Sequence, residues 1–170
     1  MGQDGDIYRL ADGFTPDPWR RLGDDEALPA AGRGGVIVPA ARLADLAPAE
    51  VAGLGLLLAP EDRVETVAAH LAHLALVVVS FPKFNDGRAF SQARLVAERH
   101  RFTGEIRAIG EVLIDQIPLM LRVGITAFAV THAPTRRALA DGRLPAVREH
   151  YQPDAVGPGA VAGRRHLGAF

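Results

Sequence analysis

Between positions 81 and 116, charged and amide side chains gather at the ends of apolar runs. Phe81-Pro82-Lys83-Phe84-Asn85-Asp86-Gly87-Arg88-Ala89-Phe90-Ser91 follows the most apolar stretch of the chain. Asn-Asp-Gly permits a tight turn with positive φ. Arg88 and Ser91 then fall around a helix start, where free backbone N–H groups and the helix dipole favour an anion. Farther on, Arg107 stands inside a second apolar run, with Glu111 and Asp115 beyond it. A buried guanidinium needs a carboxylate partner, and Asp86, Glu111 and Asp115 are the nearest candidates. The chemistry this suggests is capture of a small oxyanion such as sulfite, sulfate or phosphate. Arg88 and Arg107 would hold it, with Asn85 and Ser91 as further substrate-binding residues. Asp86 or Asp115 would be the acid–base group. A plainer reading keeps Arg107 in a structural ion pair and uses Asp86 or Ser91 to cap the helix.

These residues need a scaffold, and the rest of the sequence predicts one. Val36–Val38, Leu54–Leu58, Leu74–Ser80, Gly104–Ile109 and Ile125–Val130 are short Val/Ile/Leu-rich runs bounded by Gly, Pro or polar residues. Continuous apolar runs suit strands covered on both faces, as in a parallel sheet. Helical patterns lie between them at Glu61–His73, Phe90–His100, Val112–Val123 and Pro134–Ala140. Pro118 suits a first turn, so the third of these helices is expected to start near Ile114–Gln116, with Asp115 a candidate N-cap. Alternating βα units predict an α/β fold: a mainly parallel sheet of about five strands with helices on both faces, flavodoxin-like or related. A partial barrel of the same units is the alternative. Ligands of such sheets bind at the carboxyl ends of strands, where Asn85, Asp86, Arg88 and Ser91 are placed.

Residues 1–34 are expected as an N-terminal arm, with a hairpin around Asp12-Gly13 and Trp19 pinning the arm to the core. Residues 35–150 form one α/β domain, and 151–170 an extended C-terminal tail rich in Gly and Pro. Trp19 or the tail would mediate any homo-oligomer.

Composition narrows the function. The chain has 170 residues, no cysteine and a formal charge of −1. Absence of cysteine excludes disulfides, thiolate metal sites, thiol nucleophiles and cysteine-held iron–sulfur clusters. Balanced charge and the lack of an aromatic platform beside the Arg pairs argue against a nucleic-acid partner. No apolar stretch approaches the ~20 residues of a spanning helix. The first residues lack a basic region and apolar core, so a cytoplasmic location is expected. His70 and His73, three apart, are too few for a metal site, and none is expected. His132, after the last strand, is placed near the same cleft as Asp86. No linear nucleotide or flavin motif identifies a cofactor, which stays unknown.

The segment from Phe81 to Gln116 resembles the signature of a bacterial family of unknown biochemical function. The shared elements are Phe81-Pro82, Phe84, Asp86-Gly87-Arg88, Ser91-Gln92-Ala93-Arg94-Leu95, Gly104-Glu105-Ile106-Arg107-Ala108, Gly110 and Asp115-Gln116, with Asp17-Pro18-Trp19, Val36–Pro39 and Tyr151-Gln152 outside it. Its members are commonly encoded beside assimilatory sulfite reductase, and some are described as oxidoreductase-like. The resemblance implies an accessory role in sulfite reduction, with sulfite reductase as partner and substrate handling or electron delivery as the task. Alternatives are an enzyme acting on a small oxyanion at the sheet's carboxyl end and a structural oligomerisation module. Without a thiol, electrons would have to come from a bound cofactor or a partner.

Overall fold

The structure is a computed structural model and describes residues 5–23, 25–29, 34–43, 46–83 and 85–145. The expected C-terminal tail from Tyr151 lies outside the described residues, as does Phe84.

The Asp12-Gly13 turn joins Asp6–Arg9 (β1) to Gly13–Pro16 (β2) as an antiparallel hairpin. Gly13 adopts φ +70°, a conformation that costs glycine little. Arg20–Arg21 (β3) follows. Each of the five apolar runs is a strand: Val36–Pro39 (β4), Gly55–Leu58 (β5), Leu76–Phe81 (β6), Glu105–Gly110 (β7) and Ala127–Phe128 (β8). The helices are Ala40–Leu43 (α1), Arg88–Arg94 (α2), Ile117–Arg122 (α3) and Ala133–Ala140 (α4). Pro118 occupies the first turn of α3, and the residue at its cap is Gln116, not Asp115. The helix at α2 continues as a π-helical turn over Leu95–Arg99. Val64–His73 is a 3₁₀ helix, so Val64, Val67 and His70, spaced three apart, share its buried face.

The sheet order corrects the expected flavodoxin-like sheet of about five strands with helices on both faces. Eight strands run β2-β1-β8-β7-β6-β5-β4-β3. From β3 to β8 neighbours are parallel and in chain order, and β1 pairs antiparallel with β8. The N-terminal segment supplies the three strands beyond the expected five. The order never reverses, so right-handed crossovers carry every connecting helix to the same side. Leu43, Val51, Val67, Leu71, Ala93, Val96, Ile117, Met120 and Leu139 accordingly share one core with Val38, Leu56, Val77, Val79, Ile106, Ala108 and Phe128. The opposite face carries Ile7, Ile37, Leu57, Leu76, Val78, Ile109, Ala127 and Ala129, with Trp19 packed on it.

Chain length shows how far the sheet curls. Laid flat, seven inter-strand steps of ~4.8 Å would put β2 and β3 about 34 Å apart. The four residue steps from Pro16 to Arg20 span at most ~14 Å. The sheet therefore bends until its edges approach, with helices outside and the second face inside. Asp17-Pro18-Trp19 forms the strap that bridges the gap. It leaves β2 at the level of Asp6 and reaches β3 at the level of Val36, so it doubles back along the strands on the inside of the curl.

Gly110 ends β7 with φ +93°, and a Cβ there would lie 2.2 Å from the Phe81 carbonyl oxygen. That carbonyl accepts the Glu111 N–H at 2.8 Å. Only glycine lets the chain leave the sheet this way.

Candidate functional site

The interior of the curl holds the most unusual side chain of the protein. Arg107 is 1% exposed. Alternation along β7 sends Ile106 and Ala108 to the helix side and Glu105, Arg107 and Ile109 inward. Arg107 Nη1 donates to Oδ1 and Oδ2 of Asp17 at 2.9 and 2.8 Å. Its Nε and Nη2 donate to Glu105 Oε1 at 2.9 and 2.7 Å. Glu105 Oε2 in turn accepts from Nε of Arg9 at 2.7 Å, and Arg9 Nη1 donates to Thr15 Oγ1 at 2.9 Å. Sheet register explains how Arg9 and Arg107 share a carboxylate. Arg9 and Arg107 both pair with Ala127, whose methyl leaves room for two long side chains. Two guanidiniums and two carboxylates cancel in charge, the condition for burying any of them. The partners of Arg107 are thus Asp17 and Glu105, in place of the expected Asp86, Glu111 or Asp115.

Beside this network lies a cleft of about 110 Å³. Trp19, Ile37, Leu57, Val78, Ile109 and Ala129 supply its apolar lining, and Asp17, Arg21 and Arg107 its charged groups. The lining reaches from Trp19, which packs beside Gly55 at the amino end of β5, to Ile109 and Ala129 near the carboxyl ends of their strands. A Cβ on Gly55 would come within 3.2 Å of the Trp19 ring, so the missing side chain is what seats the indole. Among the described residues, the exposed Arg21 side chain makes no ion pair or hydrogen bond. Among the described residues nothing compensates its charge at the cleft.

The other predicted site residues lie elsewhere. Asp86 and Arg88 form their own pair where β6 leads into α2. Arg88 donates to Asp86 from Nε at 2.9 Å, from Nη2 at 2.7 Å and from its backbone N–H at 3.2 Å. The guanidinium hydrogen bond, with the backbone one behind it, holds the Asp86 carboxyl down at about 2. A carboxyl at that value is a fixed charge rather than a proton shuttle near neutrality. The Arg88 guanidinium is exposed and paired to Asp86, whereas the ion pairs of Arg107 go to Asp17 and Glu105. Asn85, Ser91 and Asp115 are exposed. Ser91 lies within α2, whose cap is Gly87.

Two neighbours gain structural roles. Gln92 is buried on α2, and its Nε2 donates to the carbonyls of Ala59 at 2.7 Å and Asp62 at 2.9 Å. This ties α2 to the loop that leaves β5. His132 Nδ1 is 2.8 Å from Thr135 Oγ1, at the start of α4. His70 is buried with Nε2 on the Leu46 carbonyl, and His73 is exposed, so the two do not act together. No group of three or more His, Cys, Asp or Glu among the described residues is placed to hold a metal ion. No described helix is long and apolar enough to cross a membrane.

Sequence reasoning missed Arg9, Asp17, Arg21 and Glu105 as site residues. Glu105 was within reach of it, because an i, i+2 pair on a strand shares a face. Asp17 and Arg21 were not, since only the curl of the sheet brings Asp17 to β7, and only the long-range pairing of β3 with β4 sets Arg21 beside Ile37.

Comparison with known proteins gives no match among curated proteins and none among solved structures. The sequence profile of a family described as a bacterial protein of unknown function, DUF934, matches residues 55–161, from β5 through α4 and beyond. The match spans most of the chain and contains Glu105 and Arg107 but not the strap; the chain belongs to the DUF934 family.

Proposed function

We propose that this chain is an anion-binding accessory protein of assimilatory sulfite reduction, working in the cytoplasm with sulfite reductase. The cleft beside Trp19 is where it takes its anion. The observation that carries this reading is Arg21, a cation without a partner among the described residues, at a cleft whose wall also holds a buried arginine. Fixed positive charge beside low-dielectric walls attracts an anionic ligand more strongly than the same charge on an open surface. The link to sulfite reduction is carried by the resemblance over residues 81–116. With no cysteine, the chain handles a ligand or docks to a partner rather than cycling a thiol of its own. Co-purification with the sulfite reductase of the same source at micromolar concentration, and a deletion strain slow to reduce sulfite, are the expected results. Failure to co-purify together with normal sulfite reduction in the deletion strain overturns the proposal.

A further inference from the structure

Resting on the anion-binding reading of the cleft, we infer that its ligand is an organic monoanion with a compact, planar apolar body, such as a ring carboxylate, rather than a bare inorganic oxyanion.

The lining decides between the two. Six of the nine residues around the cleft present hydrocarbon or aromatic surface: Trp19, Ile37, Leu57, Val78, Ile109 and Ala129. Sulfite or sulfate would exchange its hydration shell for a wall unable to hydrogen-bond it, a large cost for any ion. Arg107 offers no compensation, because its guanidinium is already engaged by Asp17 and Glu105. A ligand with an apolar body reverses this balance. Its body covers the half-buried side chains of Ile37 and Ile109, while the half-buried indole of Trp19 supplies a flat stacking partner. Only one end needs charge, and Arg21, whose guanidinium has no partner among the described residues, meets it with the fork geometry that suits a carboxylate. Size sets an upper limit: the cleft of about 110 Å³ is smaller than the ~150 Å³ apolar cavity that admits benzene, so the apolar body is no larger than one ring. The Arg107–Asp17 pair cancels its own charge, so Arg21 alone sets the balance, and one cation matches a monoanion better than a dianion.

Trp19 is the only tryptophan in the chain, so its emission reports the cleft without background. Benzoate, benzyl alcohol and sulfite serve as probes. Benzoate is expected to change Trp19 emission saturably and to bind at least about fivefold more tightly than benzyl alcohol, the gain of one charge-assisted hydrogen-bonded contact. Sulfite at the same concentrations is expected to leave the emission unchanged. In Arg21→Gln the advantage of benzoate over benzyl alcohol should vanish, with an unaltered melting temperature showing that the fold is intact. Equal binding of the two probes, no benzoate response, or an unchanged preference in Arg21→Gln overturns the inference. Saturable, Arg21-dependent binding of sulfite alone overturns it too but leaves the anion-binding reading standing. No response to any probe removes the cleft as the anion site altogether, whatever the outcome with sulfite reductase.

Discussion

Arg107 and Asp17 are ninety positions apart in sequence, yet one guanidinium nitrogen of Arg107 lies 2.9 and 2.8 Å from the two carboxylate oxygens of Asp17. The pair ties the strap to the middle of β7, inside the curled sheet. Removing Asp17 leaves a buried cation with only Glu105 to balance it, and Glu105 is already shared with Arg9. Asp17→Ala should therefore cost about 3 kcal/mol or more, the range for breaking one half of a buried pair. Urea unfolding measures this directly. Glu105→Gln, at the more exposed end of the network and with an amide oxygen still able to accept from Arg107, should cost less, about 1–2 kcal/mol. An Asp17→Ala loss no larger than that of Glu105→Gln would mean that the strap pairing contributes little.

Gly110→Ala tests the exit from β7. The new methyl would meet the Phe81 carbonyl at 2.2 Å with φ at +93°. Backbone cannot yield as a side chain can, so a loss of more than about 2 kcal/mol is expected. Thermal unfolding of the variant checks it.

Gln92→Leu probes the tie between α2 and the β5 loop. The amide's two donated hydrogen bonds would be lost while the Ala59 and Asp62 carbonyls stay in place. The Ala59 carbonyl keeps the Asp62 N–H at 3.0 Å, so the loss falls mainly on the Asp62 carbonyl and costs about 1 kcal/mol or more. Hydrogen exchange should show faster opening of α2 in this variant than in the parent.

The Asp86 carboxyl has a readable pH signature. Folding lowers it from 3.8 to about 2, through the Arg88 side-chain hydrogen bond first and the Arg88 backbone N–H second. A depressed carboxyl stabilises the fold above its unfolded value, and that contribution fades as pH falls through about 2. Carboxyl-carbon NMR titration should find the low value in the parent. In Arg88→Ala the midpoint should move back toward 3.8. An unmoved midpoint would assign the shift to another cause.

Gly55→Ala asks whether the indole seat is shaped by the missing side chain. The added methyl would lie 3.2 Å from Trp19 and Ile37 and 3.3 Å from Leu76. All three are side chains able to give slightly, so the expected loss is ~1–2 kcal/mol, accompanied by a shift in Trp19 emission.

The elements of this fold were written in short-range pattern. Val36–Pro39, Leu76–Phe81 and Glu105–Gly110 are strands because β-branched and Leu-rich runs end at Pro or Gly, and the Asp12-Gly13 hairpin follows from turn chemistry alone. Pro118 marked the first turn of α3. The need of Arg107 for a carboxylate also followed from its place in an apolar run. Which carboxylate answers it did not. Alternation and turn signals carry no record of which strands become neighbours, so one set of βα units can wind in two directions or in one. Here it winds in one. That choice curls the sheet, brings Asp17 and Trp19 inside, and sets Arg21 at a cleft that the Asp86–Arg88 turn, where local sequence placed the chemistry, does not line. Local pattern specifies which face of a strand is buried; only closure over long chain separations decides what it is buried against.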